Sequence, residues 1–117
     1  MSLPGEVISY LLAAIYLAAA IAKFAGAPKV VRNFETFGLS RRVRWGLGGC
    51  EVVGVALLLI PPVTFLGTVG FIALMAGAAF MHLRAGDITG TVPAVLLGLL
   101  NLWVLGESLP AFVALVS

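Results

Sequence analysis

The stretch GGCEVVGVALLLIPP, residues 48–62, decides the fold because it places one glutamate inside an otherwise apolar run. The run stops at two consecutive prolines, which cannot continue a helix without losing backbone hydrogen bonds. A charged side chain at the centre of a bilayer costs roughly 2.5–3.5 kcal/mol, so such residues usually face other helices and have partners there. The stretch therefore predicts a membrane helix whose carboxylate, Glu51, is paired with a residue from elsewhere in the chain.

The composition of the whole chain is that of an integral membrane protein. Of its 117 residues, 62% are hydrophobic and 10% are charged, whereas soluble domains have about 25% charged residues. The mean hydropathy of +1.15 is spread over the whole length, which predicts a single membrane domain over residues 1–117. The net charge of +2 is too small to suggest nucleic acid as a partner. The one cysteine, Cys50, cannot form an internal disulfide, and we expect it to be a buried small residue.

Four apolar segments are predicted to cross the membrane as helices, because a spanning helix needs roughly 20 apolar residues. They cover residues 4–27, 43–60 and 63–83, and a fourth that starts at residues 91–93 and continues at least to 105. Gly106, Glu107 and Pro110 either end the fourth segment or kink it. No basic residue precedes the first segment, which favours a retained helix over a cleaved signal peptide. The predicted fold is an all-α, four-helix membrane bundle.

The connection PKVVRNFETFGLSRRVR, residues 28–44, is amphipathic. Apolar residues recur in it at helical spacing, namely Val30, Val31, Phe34 and Phe37. This pattern predicts a short helix lying in the membrane interface. A plain basic loop is the alternative.

The distribution of charge predicts the orientation. The first and third connections, with the helix ends beside them, carry Lys29, Arg32, Arg41, Arg42, Arg44 and Arg84, and the opposite side carries no Lys or Arg. Basic loops stay in the cytoplasm. We therefore expect a multi-pass protein of the cell membrane with both termini on the outer side.

Polar residues within the spans are the candidate site residues. They are Lys23, Glu51, His82, Asn101 and Tyr16. The first four fall in the cytoplasmic half of the membrane, and each shares a helix face with small residues, which mark close helix contacts. The small residues beside Glu51 are Gly46, Cys50 and Gly54, which form a ridge along one face of the helix. We expect Lys23, Glu51 and His82 to meet in one buried cluster, with Asn101 and Tyr16 above it.

The cluster has two possible roles. It could simply hold the helices in register, as buried polar groups sometimes do, or it could line a cavity that binds a ligand or carries protons. Arg84 and Asp87, in HLRAGD, are expected in a solvated surface turn. One histidine and scattered carboxylates provide no metal-site spacing, and no catalytic constellation is recognisable.

Three sequence elements together resemble a known family. They are FAGAPKV at residues 24–30, GGCEVVGVALLLIPP, and AGAAFMHLRAGD at residues 76–87. This ordered set is similar to the DoxX-like family of small four-helix membrane proteins. Residues matching the shared pattern are Glu51, Gly54, His82, Gly86 and Asp87, with Lys23 matching less closely.

The resemblance implies several different functions, because the family is heterogeneous. Some members are similar to a subunit of thiosulfate:quinone oxidoreductase, and some belong to membrane complexes that handle oxidative stress. An animal branch assists the assembly of nicotinic acetylcholine receptors in the endoplasmic reticulum. This chain has neither the basic C-terminal tail of that branch nor a redox-active cysteine pair.

Three functional hypotheses follow from the sequence. The first is a non-enzymatic binding or assembly protein whose partners are other membrane proteins or further copies of itself. The second is a redox accessory protein that binds a lipophilic, quinone-like ligand. The third is a small proton-coupled transporter, although small multidrug transporters of this length have their central glutamate in the first helix, where this chain has only Glu6 at the edge.

Overall fold

The computed structural model describes residues 1–117, and its secondary structure is entirely helical. Its helices are α1 (Leu3–Ala25), α2 (Pro28–Thr36), α3 (Arg41–Leu59), α4 (Thr64–Arg84) and α5 (Ile88–Val116), with a single 3₁₀ turn at Pro61–Val63 between α3 and α4. The all-α prediction is confirmed. The bounds of the first three predicted spans agree with α1, α3 and α4 to within about two residues.

Local sequence signals explain where the first helices begin and end. Ser2 caps α1 by accepting a hydrogen bond from the Gly5 N–H at 3.2 Å, and Pro4 lies in the first turn, where it has no bond to lose. Gly26 ends the helix with a left-handed φ of +71°. The next segment forms the helix α2, so the alternative of a plain loop is wrong.

Prolines affect α3 and α5 differently. The helix α3 begins after Ser40, which accepts a hydrogen bond from the Val43 N–H, and it ends before Pro61 as predicted. In α5, however, Pro93 and Pro110 lie inside the helix, which continues to Val116. Pro110 therefore does not end the fourth segment. A membrane helix tolerates an internal proline because neighbouring groups can satisfy the freed carbonyl.

The four long helices pack in a ring in which each is antiparallel to its neighbours. Contacts run from α1 to α3, from α3 to α4, from α4 to α5 and back from α5 to α1. Every long helix contributes to the buried centre, which contains Leu12, Ala13, Tyr16, Val55, Leu58, Phe71 and Val104. The rings of Tyr16 and Phe71 are stacked there, with centroids 3.7 Å apart. The molecule is elongated, measuring 43 × 24 × 23 Å, and its long axis matches a bilayer with its head groups.

Three of the helical segments are long and apolar enough to cross a membrane: Leu3–Ala25, Pro61–Arg84 and Ile88–Val116. The helix α3 is not among them. Its first turn carries Arg41, Arg42 and Arg44, and Glu51 adds a fourth charge. The protein is thus an all-helical membrane protein with three candidate spans and a fourth long helix, α3, packed between two of them.

Candidate ligand-binding site

An ion pair joins α1 to α3. Lys23 lies in the last turn of α1 and Glu51 in the middle of α3, and Lys23 Nζ is 2.7 Å from Glu51 Oε1. The Glu51 side chain is only 3% exposed and that of Lys23 is 18% exposed. Gly48, one turn before Glu51, lets the Phe24 ring lie against α3, because a Cβ there would be 3.1 Å from the ring. This close approach brings the two charges together.

The Glu51 carboxylate has Lys23 as its single partner. The Lys23 ammonium lies 2.7 Å from Oε1, and no backbone group or other side chain donates a hydrogen bond to this buried carboxylate. An ionised carboxylate has two oxygens with about four acceptor positions, so a single ammonium does not use all of them. Glu51 therefore has the capacity to accept a hydrogen bond from another group.

A cavity of about 410 Å³ adjoins this ion pair. Its volume lies in the usual range of ligand pockets, roughly 300–1,000 Å³. Eleven of the sixteen residues lining it are hydrophobic, and they come from α2, α3, α4 and the segment after α2. The polar residues at its wall are Lys23, Asn33, Glu51 and His82. The site is thus an apolar chamber with a few polar groups.

The helix α2 covers one side of the cavity. Val30, Asn33 and Phe34 from α2, together with Phe37 just after it, line the chamber. The sequence predicts this apolar face but assigns it to the membrane interface, and none of these four residues was predicted as a site residue. Helical spacing of Val30, Phe34 and Phe37 is the signal that reveals an apolar face, although it does not say what that face covers.

His82 lines the same cavity near the end of α4. Its Nδ1 is 2.9 Å from Asp87 Oδ2, and the Phe37 ring packs edge-on against the imidazole with centroids 5.0 Å apart. Gly86, at φ +75°, turns the chain after α4 so that Asp87 can reach back to His82. The sequence predicts that His82 meets Lys23 and Glu51 in one buried cluster, whereas its hydrogen bond is to Asp87.

Asp87 also caps α5. Its Oδ1 accepts a hydrogen bond from the Gly90 N–H at 2.9 Å. This bond, followed by the one from His82, lowers the pKa of Asp87 below the ordinary value for an aspartate. Asp87 is therefore ionised at neutral pH and favours the imidazole tautomer with its proton on Nδ1. Arg84 lies exposed at the end of α4.

Tyr16 and Asn101 form a second polar group away from the cavity. Asn101 Nδ2 donates to the Tyr16 hydroxyl and, at 2.9 Å, to the Leu97 carbonyl. Both residues are almost completely buried, and neither lines the cavity. The five predicted site residues thus divide into Lys23, Glu51 and His82 at the cavity and a Tyr16–Asn101 pair in the core.

The predicted small-residue ridge makes one close helix contact. A Cβ on Gly54 would lie 2.6 Å from the Phe71 ring, so α4 packs tightly against α3 there. A Cβ added to Gly46 would have no neighbouring atom within 4 Å, and Cys50 is exposed. The prediction of a buried Cys50 is wrong, because its side of α3 is not covered by another helix of this chain.

The fold and the site together define a class: a small helical membrane protein with a ligand-sized cavity at one end of its bundle. The family model described as the DoxX-like family matches residues 7–104. Since this match covers most of the 117 residues, the chain belongs to the DoxX-like family, and the resemblance found in the sequence is confirmed. No curated protein and no solved structure gives a significant match to the chain.

Proposed function

We propose that this protein binds a lipophilic molecule with a polar, quinone-like head group in the cavity beside Lys23 and Glu51. The observation that carries this proposal is an apolar cavity of about 410 Å³ bordered by a buried carboxylate whose single partner is the Lys23 ammonium. A helix-locking ion pair alone would need no such space. Binding, and not covalent chemistry, is the function assigned here.

The lining of the cavity supports a flat, amphipathic ligand. Phe34, Phe37 and Phe80 provide aromatic surface, which favours stacked or edge-on contacts with a ring. The ammonium group of Lys23 can donate hydrogen bonds to a ligand. The Glu51 carboxylate and His82 Nε2, the ring nitrogen that is not bonded to Asp87, can accept them. A quinone or hydroquinone head presents oxygens that match both kinds of group, and its alkyl tail would extend between the helices into lipid.

A four-crossing topology is part of the proposal. Because α3 runs antiparallel to both α1 and α4, it would cross the bilayer with them, its charge at Glu51 being compensated by Lys23. All seven Lys and Arg residues lie at the end of the bundle that holds the cavity. The positive-inside bias then places this end in the cytoplasmic leaflet and both termini outside.

Filling the cavity tests ligand binding. The probe is a decyl-substituted benzoquinone, and the protein is reconstituted into lipid nanodiscs. Because Ala78 lines the cavity, we expect Ala78→Phe to weaken binding of this probe at least about tenfold, which corresponds to about 1.4 kcal/mol of binding free energy. Ala76→Phe is the matched control on the same helix, because Ala76 is exposed and lies outside the cavity. Equal affinity of both variants, or no binding by the unmodified protein, would contradict the proposal.

A second candidate function, non-enzymatic assembly with other membrane proteins or with itself, is favoured by a separate observation. An open groove between α3 and α4 is lined by Gly46, Gly49, Cys50, Gly67 and Gly70. Small residues of this kind allow a further helix to approach closely. The groove has the shape needed for a transmembrane helix of a partner.

The native cysteine makes this second candidate testable. If a partner helix occupies the groove, a reagent with a maleimide at one end and a photoreactive diazirine at the other should link Cys50 to it in native membranes, because the diazirine inserts into any nearby bond. A Cys50→Ala variant should yield no such product. A protein that purifies only as a monomer and gives no crosslinked product would contradict the assembly role.

A further inference from the structure

The histidine of the cavity is connected to solvent by its hydrogen-bond partner. The His82 side chain is 14% exposed, whereas that of Asp87 is 43% exposed. His82 Nδ1 is engaged by Asp87, and the ring makes no other hydrogen bond to the protein, which leaves Nε2 as the nitrogen available to a ligand. The cavity and the exposed turn at Asp87 are thus joined by two side chains.

From this arrangement, and resting on the ligand binding proposed above, we infer that His82 and Asp87 form a proton relay between the surface and a hydroxyl group of the bound ligand. The ligand class is accordingly a lipophilic phenol or hydroquinone, not merely a carbonyl compound. Asp87 orients the imidazole with Nε2 unprotonated, which is the state needed to accept a proton. Neither residue forms a hydrogen bond or ion pair with Lys23 or Glu51.

The proton transfer is balanced without any electron transfer. The O–H bond of the ligand breaks while an N–H bond forms at Nε2, which leaves a phenolate beside an imidazolium. The proton on Nδ1 then passes to Asp87 Oδ2 and from there to water, so the ligand loses one proton and solvent gains one. The reverse sequence returns a proton to the ligand.

The charges around His82 favour this step. Lys23 from α1 and Glu51 from α3 line the same cavity, and their opposite charges largely cancel. Lys29 from α2 acts on Asp87 from a distance, and Arg84 on α4 itself is exposed. The Lys23 ammonium stabilises a phenolate, and Asp87 stabilises the imidazolium. Both products of the transfer therefore have an opposite charge nearby.

A coloured phenol tests the relay directly. The probe is an alkyl-substituted 4-nitrophenol, whose phenol and phenolate forms differ in colour, so the ionisation of the bound molecule can be followed by titration in nanodiscs. With the unmodified protein, we expect the bound probe to ionise about one pH unit below the same probe in nanodiscs without protein, the smaller end of the usual effect of a nearby opposite charge. This shift reflects the Lys23 ammonium and should persist in His82→Gln and Asp87→Asn. After a rapid jump in pH, however, the bound probe should ionise at least about tenfold more slowly in both variants, because the relay changes the rate of proton transfer and not its equilibrium.

The controls separate the relay from the fold and from binding itself. Asn at position 87 can still cap α5, since Asn is as good an N-cap as Asp. The methyl ether of the probe, which has no proton to lose, should bind equally well to all three proteins. If the ether binds but the phenol ionises at the same rate in all three after the pH jump, the relay is wrong while ligand binding stands. If neither compound binds to the unmodified protein, both the cavity function and the relay are overturned.

Discussion

At the scale of single residues, the position of Glu51 is explained by the partner it has. A carboxylate that is 3% exposed is stable in a bundle only when an opposite charge compensates for its loss of hydration. Lys23 provides that charge from the neighbouring helix. The Lys23–Glu51 pair therefore adds little net free energy of folding, but it prevents either charge from being buried without a partner.

This view predicts an asymmetry between single and double substitutions. Glu51→Ala should lower the free energy of unfolding by about 3 kcal/mol, because it leaves the Lys23 ammonium without its partner, the usual cost of breaking a buried pair. The double variant Lys23→Ala, Glu51→Ala should lose less. Unfolding in a titration with a denaturing detergent measures both values, and equal losses in the two variants would show that the side chains do not interact.

At the scale of helices, the crossing of α3 and α4 depends on a missing side chain. Gly54 faces the Phe71 ring, and Phe71 is itself fully buried and stacked on Tyr16. The ring has no room to retreat. The two helices can therefore approach at this height only while position 54 carries no Cβ.

We expect Gly54→Ala to lower the free energy of unfolding by about 1–3 kcal/mol, the usual cost of overpacking. Gly46→Ala on the same helix is the matched control, because no atom lies within 4 Å of its added Cβ. It should leave stability unchanged or raise it by up to about 1 kcal/mol, since glycine is a poor helix former. If both variants lost the same amount, close packing at Gly54 would not be the cause.

At the scale of the whole molecule, the ring of helices has two unlike ends. One end contains every Lys and Arg, the cavity and α2. The other contains Pro61 and Pro62, and Glu107, which accepts hydrogen bonds from the Ser2 N–H at 2.7 Å and the Ser2 hydroxyl at 2.5 Å. The number of crossings decides whether the two termini lie on one side of the membrane.

Single cysteines in a Cys50→Ala background should reveal this topology. With four crossings, a membrane-impermeant maleimide added to intact cells should label Leu3→Cys and Ser117→Cys, and it should label Lys29→Cys only after permeabilisation. With three crossings, Leu3→Cys and Ser117→Cys would lie on opposite sides. The latter pattern would show that α3 does not cross the bilayer.

The amino-acid sequence by itself determined the helical elements and the polar residues of the candidate site. Helical bounds follow from local chemistry, such as the cap at Ser2 and the proline stop at Pro61, which acts over a few residues. Charge compensation in an apolar setting likewise predicts a partner for Glu51, either Lys23 or His82, and in the structure it is Lys23. These features depend on periodicity and charge, which are visible along the chain.

Only the tertiary structure decided which apolar faces meet protein. The sequence places the apolar side of α2 against lipid and buries Cys50, whereas in the structure Phe34 lines the cavity and Cys50 is exposed. Lipid tails are about as apolar as leucine side chains, so the same pattern of residues satisfies either environment. The hydrogen bond between His82 and Asp87 could not be predicted from helical spacing either. It depends on the turn at Gly86, which brings the Asp87 side chain back to His82. Whether an apolar face borders lipid, another helix or a cavity is settled by how the helices pack.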